Sequence, residues 1–275
     1  MAERAVKSCV TLALVPSIRT GPWIYWDPPE ISFRKAAALG FDAVELFTAS
    51  GDAFDAEALA ALAERHRLAI AAVGTGAGKV LHGLTLTHPR PSVRARAMKF
   101  IEGMIDFGAR FGAPAIVGSM QGRTGEGVGR KRALRWLAKS LEVLGGRAAD
   151  RGVRLLIEPL NRYETDLLNL LSHAAELIKS AGWGSLSILA DLFHMSIEEA
   201  SLEGALLLDG PLIGHVHFAD SNRGPIGAGH TDMKPVVRAL QAVKYRGYAS
   251  AEAFPRPDPD TAAELTIQAY RKYFA

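Results

Sequence analysis

Two hydrophobic periods alternate along this chain. Short, nearly unbroken apolar runs recur at residues 9–15, 42–47, 68–73, 114–118, 153–158, 186–191, 212–217 and 248–252. Their length and continuity predict strands buried on both faces, as in a parallel sheet. Between the runs, apolar residues return every three or four positions. Val93, Ala97, Ile101, Met104, Gly108 and Phe111 stripe one segment, and Leu134, Leu137, Leu141 and Leu144 another. That spacing is the buried face of an amphipathic helix. Further helices are predicted over 31–39, 56–66, 171–181, around 198–206, over 233–242, and from Thr261 to Phe274. Gly40 and Gly182 read as C-terminal stops, Ser172 and Asp232 as N-caps, and Thr261 with Glu264 as a capping box. Strand and helix alternate eight times without a linker. The predicted fold is therefore α/β, a single-domain (β/α)8 TIM barrel spanning 1–275. A doubly wound open sheet competes, but it would gather polar strand ends at one switch point.

Composition narrows the class. At 275 residues and 48% hydrophobic, the chain suits a barrel, which runs to about 250 residues as one domain. The formal net charge of +3 is interspersed, without a basic block. Nucleic acid and anionic membrane are thus not expected as partners. The one cysteine, Cys9, excludes an intrachain disulfide and fits a reducing compartment. Inside an apolar run it reads as a buried thiol rather than a nucleophile. That run could pass for a secretory-leader core, but it is short, contains Thr11 and leads into Pro16-Ser17-Ile18-Arg19 instead of a small-residue cleavage site. No apolar stretch approaches the ~20 residues of a transmembrane helix. A cytoplasmic protein is expected.

Gly74-Thr75-Gly76-Ala77-Gly78-Lys79-Val80 imitates a phosphate loop. The P-loop pattern needs glycine at Val73 and Ser or Thr at Val80, and the dinucleotide fingerprint fails at Lys79. The stretch reads instead as a flexible βα loop over the barrel mouth, from which Lys79 and His82 could touch substrate. Trp23 and Trp26, in the proline-rich loop 21–29, are candidates for an apolar pocket wall. Glu45 ends the second strand and is either a pocket residue or a structural ion-pair partner. His66 and His173 fall on helices as surface or packing residues, while His88 and His230 lie in loops.

Four later strand ends carry chemistry. The fifth run leads into Ile157-Glu158-Pro159-Leu160-Asn161-Arg162-Tyr163-Glu164; the sixth ends in Asp191, the seventh in His217 and the eighth in Glu252. Catalytic groups in (β/α) barrels come from the carboxyl ends of the strands. One such carboxylate is an ordinary hydrogen-bond anchor. Three carboxylates and an imidazole at the same end of four successive strands form a ligand set suited to Mn²⁺, Mg²⁺ or Co²⁺, and structural zinc is disfavoured without cysteines.

The stretch 157–164, together with Ala190-Asp191-Leu192-Phe193-His194-Met195-Ser196-Ile197-Glu198-Glu199, His215-Val216-His217-Phe218-Ala219-Asp220-Ser221-Asn222-Arg223 and Glu252-Ala253-Phe254, closely resembles the D-tagatose/D-psicose 3-epimerase branch of the xylose-isomerase-like barrel family. In the N-terminal half, Gly40-Phe41-Asp42-Ala43-Val44-Glu45-Leu46 and the barrel alternation carry the likeness. The resemblance implies one divalent metal ion, Mn²⁺ foremost, with Glu158, Asp191, His217 and Glu252 as ligands. It implies Glu158 and Glu252 as the catalytic acid–base pair, His194 and Arg223 as binders of substrate oxygens, and Glu164 as a sugar contact or a support for Glu158. Asn161 and Arg162 would complete the supporting shell. A small carbohydrate substrate and a homo-oligomer, dimer or tetramer, are expected. Two positions depart from the pattern: Asp220 stands where the free-sugar epimerases usually carry glutamate, and Ala253 where proline is common.

Inverting a carbon beside a carbonyl means removing a weakly acidic proton and returning one to the opposite face. Two carboxylates flanking an enediolate can exchange acid and base roles, each contributing about 10²–10⁴-fold, and a chelated metal stabilises the developing charge. The expected activity is that of a ketose epimerase or isomerase. A hydroxypyruvate- or inosose-type isomerase uses the same parts with another substrate placement. Apurinic-site endonucleases share the barrel but bind several zinc ions; with eight histidines in the chain and mild charge, that reading is remote.

Overall fold

The apolar runs pair edge to edge in chain order. The computed structural model describes residues 5–274 apart from Arg19, Glu126 and Trp183. Met1–Arg4 and Arg19, which entered the leader reading, lie outside the described residues. The strands are β1 (Lys7–Leu14), β2 (Ala43–Thr48), β3 (Ala69–Gly74), β4 (Ala115–Val117), β5 (Leu155–Ile157), β6 (Leu186–Asp191), β7 (Ile213–His217) and β8 (Tyr248–Ala251). Every neighbouring pair is parallel, and β8 returns to β1 with Cys9 opposite Ser250. The barrel is closed, which excludes the open sheet. The helices are α1 (Pro29–Leu39), α2 (Ala56–His66), α3 (Ala77–His82), α4 (Pro91–Ala109), α5 (Arg130–Asp150), α6 (Leu171–Ala181), α7 (Leu192–Glu198), α8 (Leu202–Asp209), α9 (Met233–Ala242) and α10 (Pro259–Phe274). No helix among the described residues is long and apolar enough to cross a membrane.

Local signals account for most helix ends. Gly40 (φ 80°) and Gly182 (φ 67°) close α1 and α6 in the left-handed region, where a glycine has no Cβ to clash. Asp232 caps α9 by accepting from the Lys234 N–H. Four expectations are corrected. Ser172 does not cap α6, which begins one residue earlier behind Leu170. Asp258, not Thr261, caps α10, taking both the Thr261 N–H (2.9 Å) and its hydroxyl (2.7 Å). The helix expected around 198–206 is two helices, because Asp191 itself caps α7 at once and Ser201 caps a new helix. The glycine-rich stretch after β3 is also not all loop: 77–82 winds into α3.

The core has two compartments. Leu12, Val44, Ile157 and Ile188 face outward into the large cluster shared with Phe33, Ile101, Leu137 and Leu141 of the helices. Cys9, Ala43 and Ala71 pack together in one small cluster, and Ala72, Ile116, Leu156 and Leu189 in another. Truncating Leu156 to alanine costs roughly 2–5 kcal/mol by the usual cavity argument. Strand side chains alternate, so the residue two beyond an inward one also faces inward. Leu156 thus leads to Glu158, Leu189 to Asp191 and His215 to His217. The site stands above this packed plug, at the carboxyl end of the strands.

Candidate active site

Asp191 and His217 are the last residues of β6 and β7, while Glu158 and Glu252 follow β5 and β8 by one residue. One ligand atom from each of the four lies within 4.8 Å of the other three. The structure thus brings together the whole predicted ligand set. His217 Nδ1 is the hub, 3.1 Å from Asp191 Oδ2, 3.4 Å from Glu158 Oε1 and 3.6 Å from Glu252 Oε2. Glu158 Oε1 is buried and accepts no hydrogen bond from the described residues. Gly118 at the end of β4 makes room for this carboxylate, since a Cβ there would come within 2.1 Å of Glu158 Oε2.

The electrostatics of the cluster call for positive charge. Burial alone would lower the pKa of His217, but the carboxylates of Glu45 and Glu252, the hydrogen bond to Asp191 and the nearby Glu158 carboxylate raise it well above the usual imidazole value. Burial likewise works against ionised Asp191, yet His194, His217 and Arg223 hold its carboxyl well below the ordinary range. Glu158 is pushed up to about 8, chiefly by burial and further by Glu252 and Asp191. Burial also raises Glu252, against the pull of His217 and Arg223. Three clustered carboxylates, a buried oxygen without a donor and an imidazole drawn toward its cationic form fit a hard divalent cation.

The expected substrate-binding residues surround this cluster. His194 Nδ1 accepts from the Asn161 N–H at 3.2 Å and lies 2.8 Å from Asn161 Nδ2, which places the ring proton on Nε2. That Nε2–H is buried without an acceptor in hydrogen-bond range among the described residues, 4.0 Å from both Glu158 Oε1 and Asp191 Oδ2. Arg223 holds Glu252 at 2.7 Å and Glu164 at 3.4 Å. Its backbone sits at φ 58° in a turn secured by Asp220. The Asp220 carboxylate accepts from the N–H groups of Ser221, Gly227 and Thr231. Glu164 lines the cavity and also accepts from Asn161 at 3.3 Å. Arg162 points elsewhere, pairing with Glu198 at 2.9 Å on the outer surface.

Glu45, undecided from sequence, is resolved by the fold. It is buried and clamped by two imidazoles, His215 Nε2 at 2.8 Å and His217 Nε2 at 3.1 Å. Burial opposes its ionisation, but the two histidines hold it well below the usual carboxylate range. Glu45 thereby fixes the Nε2 side of His217 and leaves Nδ1 facing the other carboxylates. The Glu45–His215 contact was invisible in sequence; only the inward-facing Ala43–Glu45 pattern hinted at it.

Above the cluster is a cavity of ≈ 380 Å³ lined in part by Trp23, Phe47, Lys79, Ser119, Leu160 and Glu164. Trp23 stacks on Phe47 with ring centroids 4.0 Å apart, forming an apolar wall. Of the two loop candidates, Lys79 lines this cavity, whereas His82 lines a separate surface groove. Of the two tryptophans, Trp26 lies outside it, bonding the Trp23 carbonyl through its indole N–H at 2.8 Å. His230 is exposed and pairs with Ser221, and His66 and His173 are half-buried on helices. Cys9 is fully buried, and burial pushes its thiol pKa up, as for an inert core residue.

Known proteins share this architecture. The family model for the xylose isomerase-like TIM barrel matches residues 33–273. The chain is 26% identical over 257 residues to a D-psicose 3-epimerase of Agrobacterium fabrum, covering 91% of this chain and 85% of that one. It is 37% identical over 139 residues to a 3-dehydro-D-guloside 4-epimerase of Escherichia coli, covering 50% and 51% of the two chains. In three dimensions it resembles an apo 3-keto-D-glucoside 4-epimerase from E. coli with a TM-score of 0.81 at 24% identity, over 98% of this chain and 100% of that one, a likeness of fold. The chain belongs to the xylose isomerase-like TIM-barrel family, and its relatives there include the D-psicose and other ketose 3-epimerases.

Proposed function

We propose that this protein is a metal-dependent ketose epimerase that moves a proton off and back onto a carbon beside a carbonyl, through an enediolate, using Glu158 and Glu252. It is a carbohydrate isomerase by its relatives. The observation that supports the reaction is the pairing of a buried and a partly buried carboxylate, Glu158 and Glu252, both of raised pKa, in one cluster beneath a cavity with an apolar wall. A proton affinity raised toward neutral pH suits a group that must both take and return a proton.

A divalent cation, Mn²⁺ foremost with Mg²⁺ and Co²⁺ as alternatives, fits Glu158, Asp191, His217 and Glu252, and when bound supplies Lewis-acid stabilisation of the negative charge that develops on the substrate oxygens. The chain's own residues do the rest. Glu158 and Glu252 exchange the proton. Arg223, 2.7 Å from Glu252 Oε2, orients that carboxylate. The Nε2–H of His194 donates to a substrate oxygen, and Glu164 receives a sugar hydroxyl. Trp23 and Phe47 bury the apolar face of the carbon skeleton and keep water out.

The relatives' names put the epimerised carbon at position 3 in one and 4 in another. The test is therefore a panel of ketoses, with inososes and hydroxypyruvate as competitors, assayed with Mn²⁺ in deuterated water. Deuterium entering the inverted carbon of a ketose is the expected result. Full turnover by chelator-stripped protein would sink metal dependence, and exchange confined to hydroxypyruvate or inososes would move the activity to those substrates. Cytoplasmic action as a homo-oligomer completes the reading; sedimentation of the pure protein as a monomer would remove the second part.

A further inference from the structure

The rim of the cavity holds a cation with no hydrogen-bonded or ion-paired partner among the described residues. Lys79, on α3, lines the cavity and is half-buried. Among the described residues, its ammonium forms no hydrogen bond or ion pair; Glu164 and Arg123 act on it only through space, with opposite signs. Other half-buried or buried-partner lysines are paired: Lys35 with Asp27 and Asp260, both at 2.9 Å, and Lys179 with Asp209 at 3.2 Å. The one acid acting on Lys79 is shared, since Glu164 Oε1 also serves Arg223 and Asn161. A second polar group stands in the same wall. Ser119 lines the cavity, and its hydroxyl lies 3.5 Å from the point a Cβ would occupy at Gly76, with no partner of its own among the described residues.

Position sharpens the case. In a closed ring of eight strands, β3 stands across from β7. Lys79 follows β3, while His217 ends β7. A ligand whose reacting carbons lie over the carboxylate cluster can therefore extend toward Lys79 along the Trp23–Phe47 wall. Burial lowers the pKa of Lys79, as for any ammonium taken partly out of water without a counter-charge. A neutral sugar hydroxyl leaves that cost in place, whereas an anion removes it.

We infer that the cavity takes a sugar derivative bearing an anionic group remote from the reacting carbons, held by Lys79 with Ser119 beside it. This rests on reading the cavity as a sugar site. One ammonium and one hydroxyl match a carboxylate, as in a sugar acid; a sugar phosphate offers the same charge chemistry from another source.

Calorimetry on the Mn²⁺-loaded protein tests this with three ligands of one carbon skeleton: a hexitol, the corresponding hexonate and the hexitol phosphate. At least one anion binds about ten- to hundredfold more tightly than the hexitol, the strength of a charge-assisted hydrogen bond. Whichever anion wins names the source. Lys79→Met abolishes the preference without changing hexitol binding, and Lys79→Arg keeps it. Equal binding of all three by the wild type overturns the inference, as does an anion preference that survives Lys79→Met, which would mean direct capture by the metal. Both results leave the sugar reading standing. Failure of every ligand to bind removes that reading as well.

Discussion

The two halves of the barrel mouth are built on different principles. From β5 to β8, most side chains of the cluster are held by another: His217 by Glu45 and Asp191, His194 by Asn161, Glu252 by Arg223, and Arg223 by a turn that Asp220 secures. From β1 to β4, the rim offers a stacked aromatic pair, a glycine-lined approach and a lysine without a hydrogen-bonded partner among the described residues. The first half is preorganised, as chemistry at a charged intermediate demands. The second ties down Glu45 and Thr75 but leaves Lys79 and Ser119 without hydrogen-bond partners among the described residues, available to a ligand. The division is not complete, since Glu45 of β2 clamps His217 and Gly118 beyond β4 makes room for Glu158, but the loops after β1 to β3 are where a barrel can vary its substrate while keeping its strand-end cluster.

The largest effect is expected at the proposed proton-transfer pair. Glu158→Gln and Glu252→Gln should each reduce kcat by about 10²–10⁴-fold, measured as epimer formation and as solvent deuterium uptake. Wild-type exchange in either variant would show that the carboxylates are misassigned. Gly118→Ala lies outside the charged set yet forces the Glu158 carboxylate aside, because the new Cβ would sit 2.1 Å from Oε2. A displacement of that order costs about 10²-fold in kcat. Unaltered kinetics with an unchanged melting temperature would mean that Glu158 has room to spare.

Smaller effects separate the supporting groups from the rim. Glu45→Gln keeps the shape but weakens the clamp on His217. Metal affinity measured by calorimetry should fall roughly 10–100-fold, the usual cost of losing such a partner, and an undiminished affinity would reduce Glu45 to packing. Trp23→Ala should raise KM about tenfold and leave kcat nearly intact, since it removes binding area that ground and transition states share; a fall confined to kcat would place Trp23 in the chemistry. The smallest effect is pH-dependent. Burial would raise the Asp220 carboxyl, but the Thr231 N–H and side chain, with further backbone N–H donors including that of Ser221, bring it to about 2. Its folded pKa lies below the ordinary carboxylate value of about 3.9, so its contribution to stability is complete above that value and is lost as pH falls toward 2. Asp220→Asn should therefore melt below the wild type at pH 7, with the gap closing as both are taken toward pH 2. A gap independent of pH would assign the loss to shape rather than charge.

Much of the catalytic half was readable from local sequence. Glu158, Asp191, His217 and Glu252 each end an apolar run, and two-residue alternation from a buried position directs three of them inward. His194 and Arg223 came by resemblance to known epimerases. Boundaries read less well where two local signals competed. Asp191 serves both as strand end and as helix cap, so α7 begins without a loop and the helix expected around 198–206 is divided. Asp258 outcompetes Thr261 as a cap because its carboxylate reaches the Thr261 N–H and hydroxyl together.

The sequence by itself determined the alternation of strand and helix, the apolar plug of the barrel and the residues delivered to the strand ends, because these depend on periodicity and on neighbours a few positions away. Only the tertiary structure decided that Glu45 meets His215 and His217 across sequence separations of 170 and 172 residues, that Gly118 is the space Glu158 occupies, and that Lys79 opens onto the cavity while His82 does not. Those outcomes depend on which strands stand opposite one another once the ring has closed, and closure is a property of the whole chain.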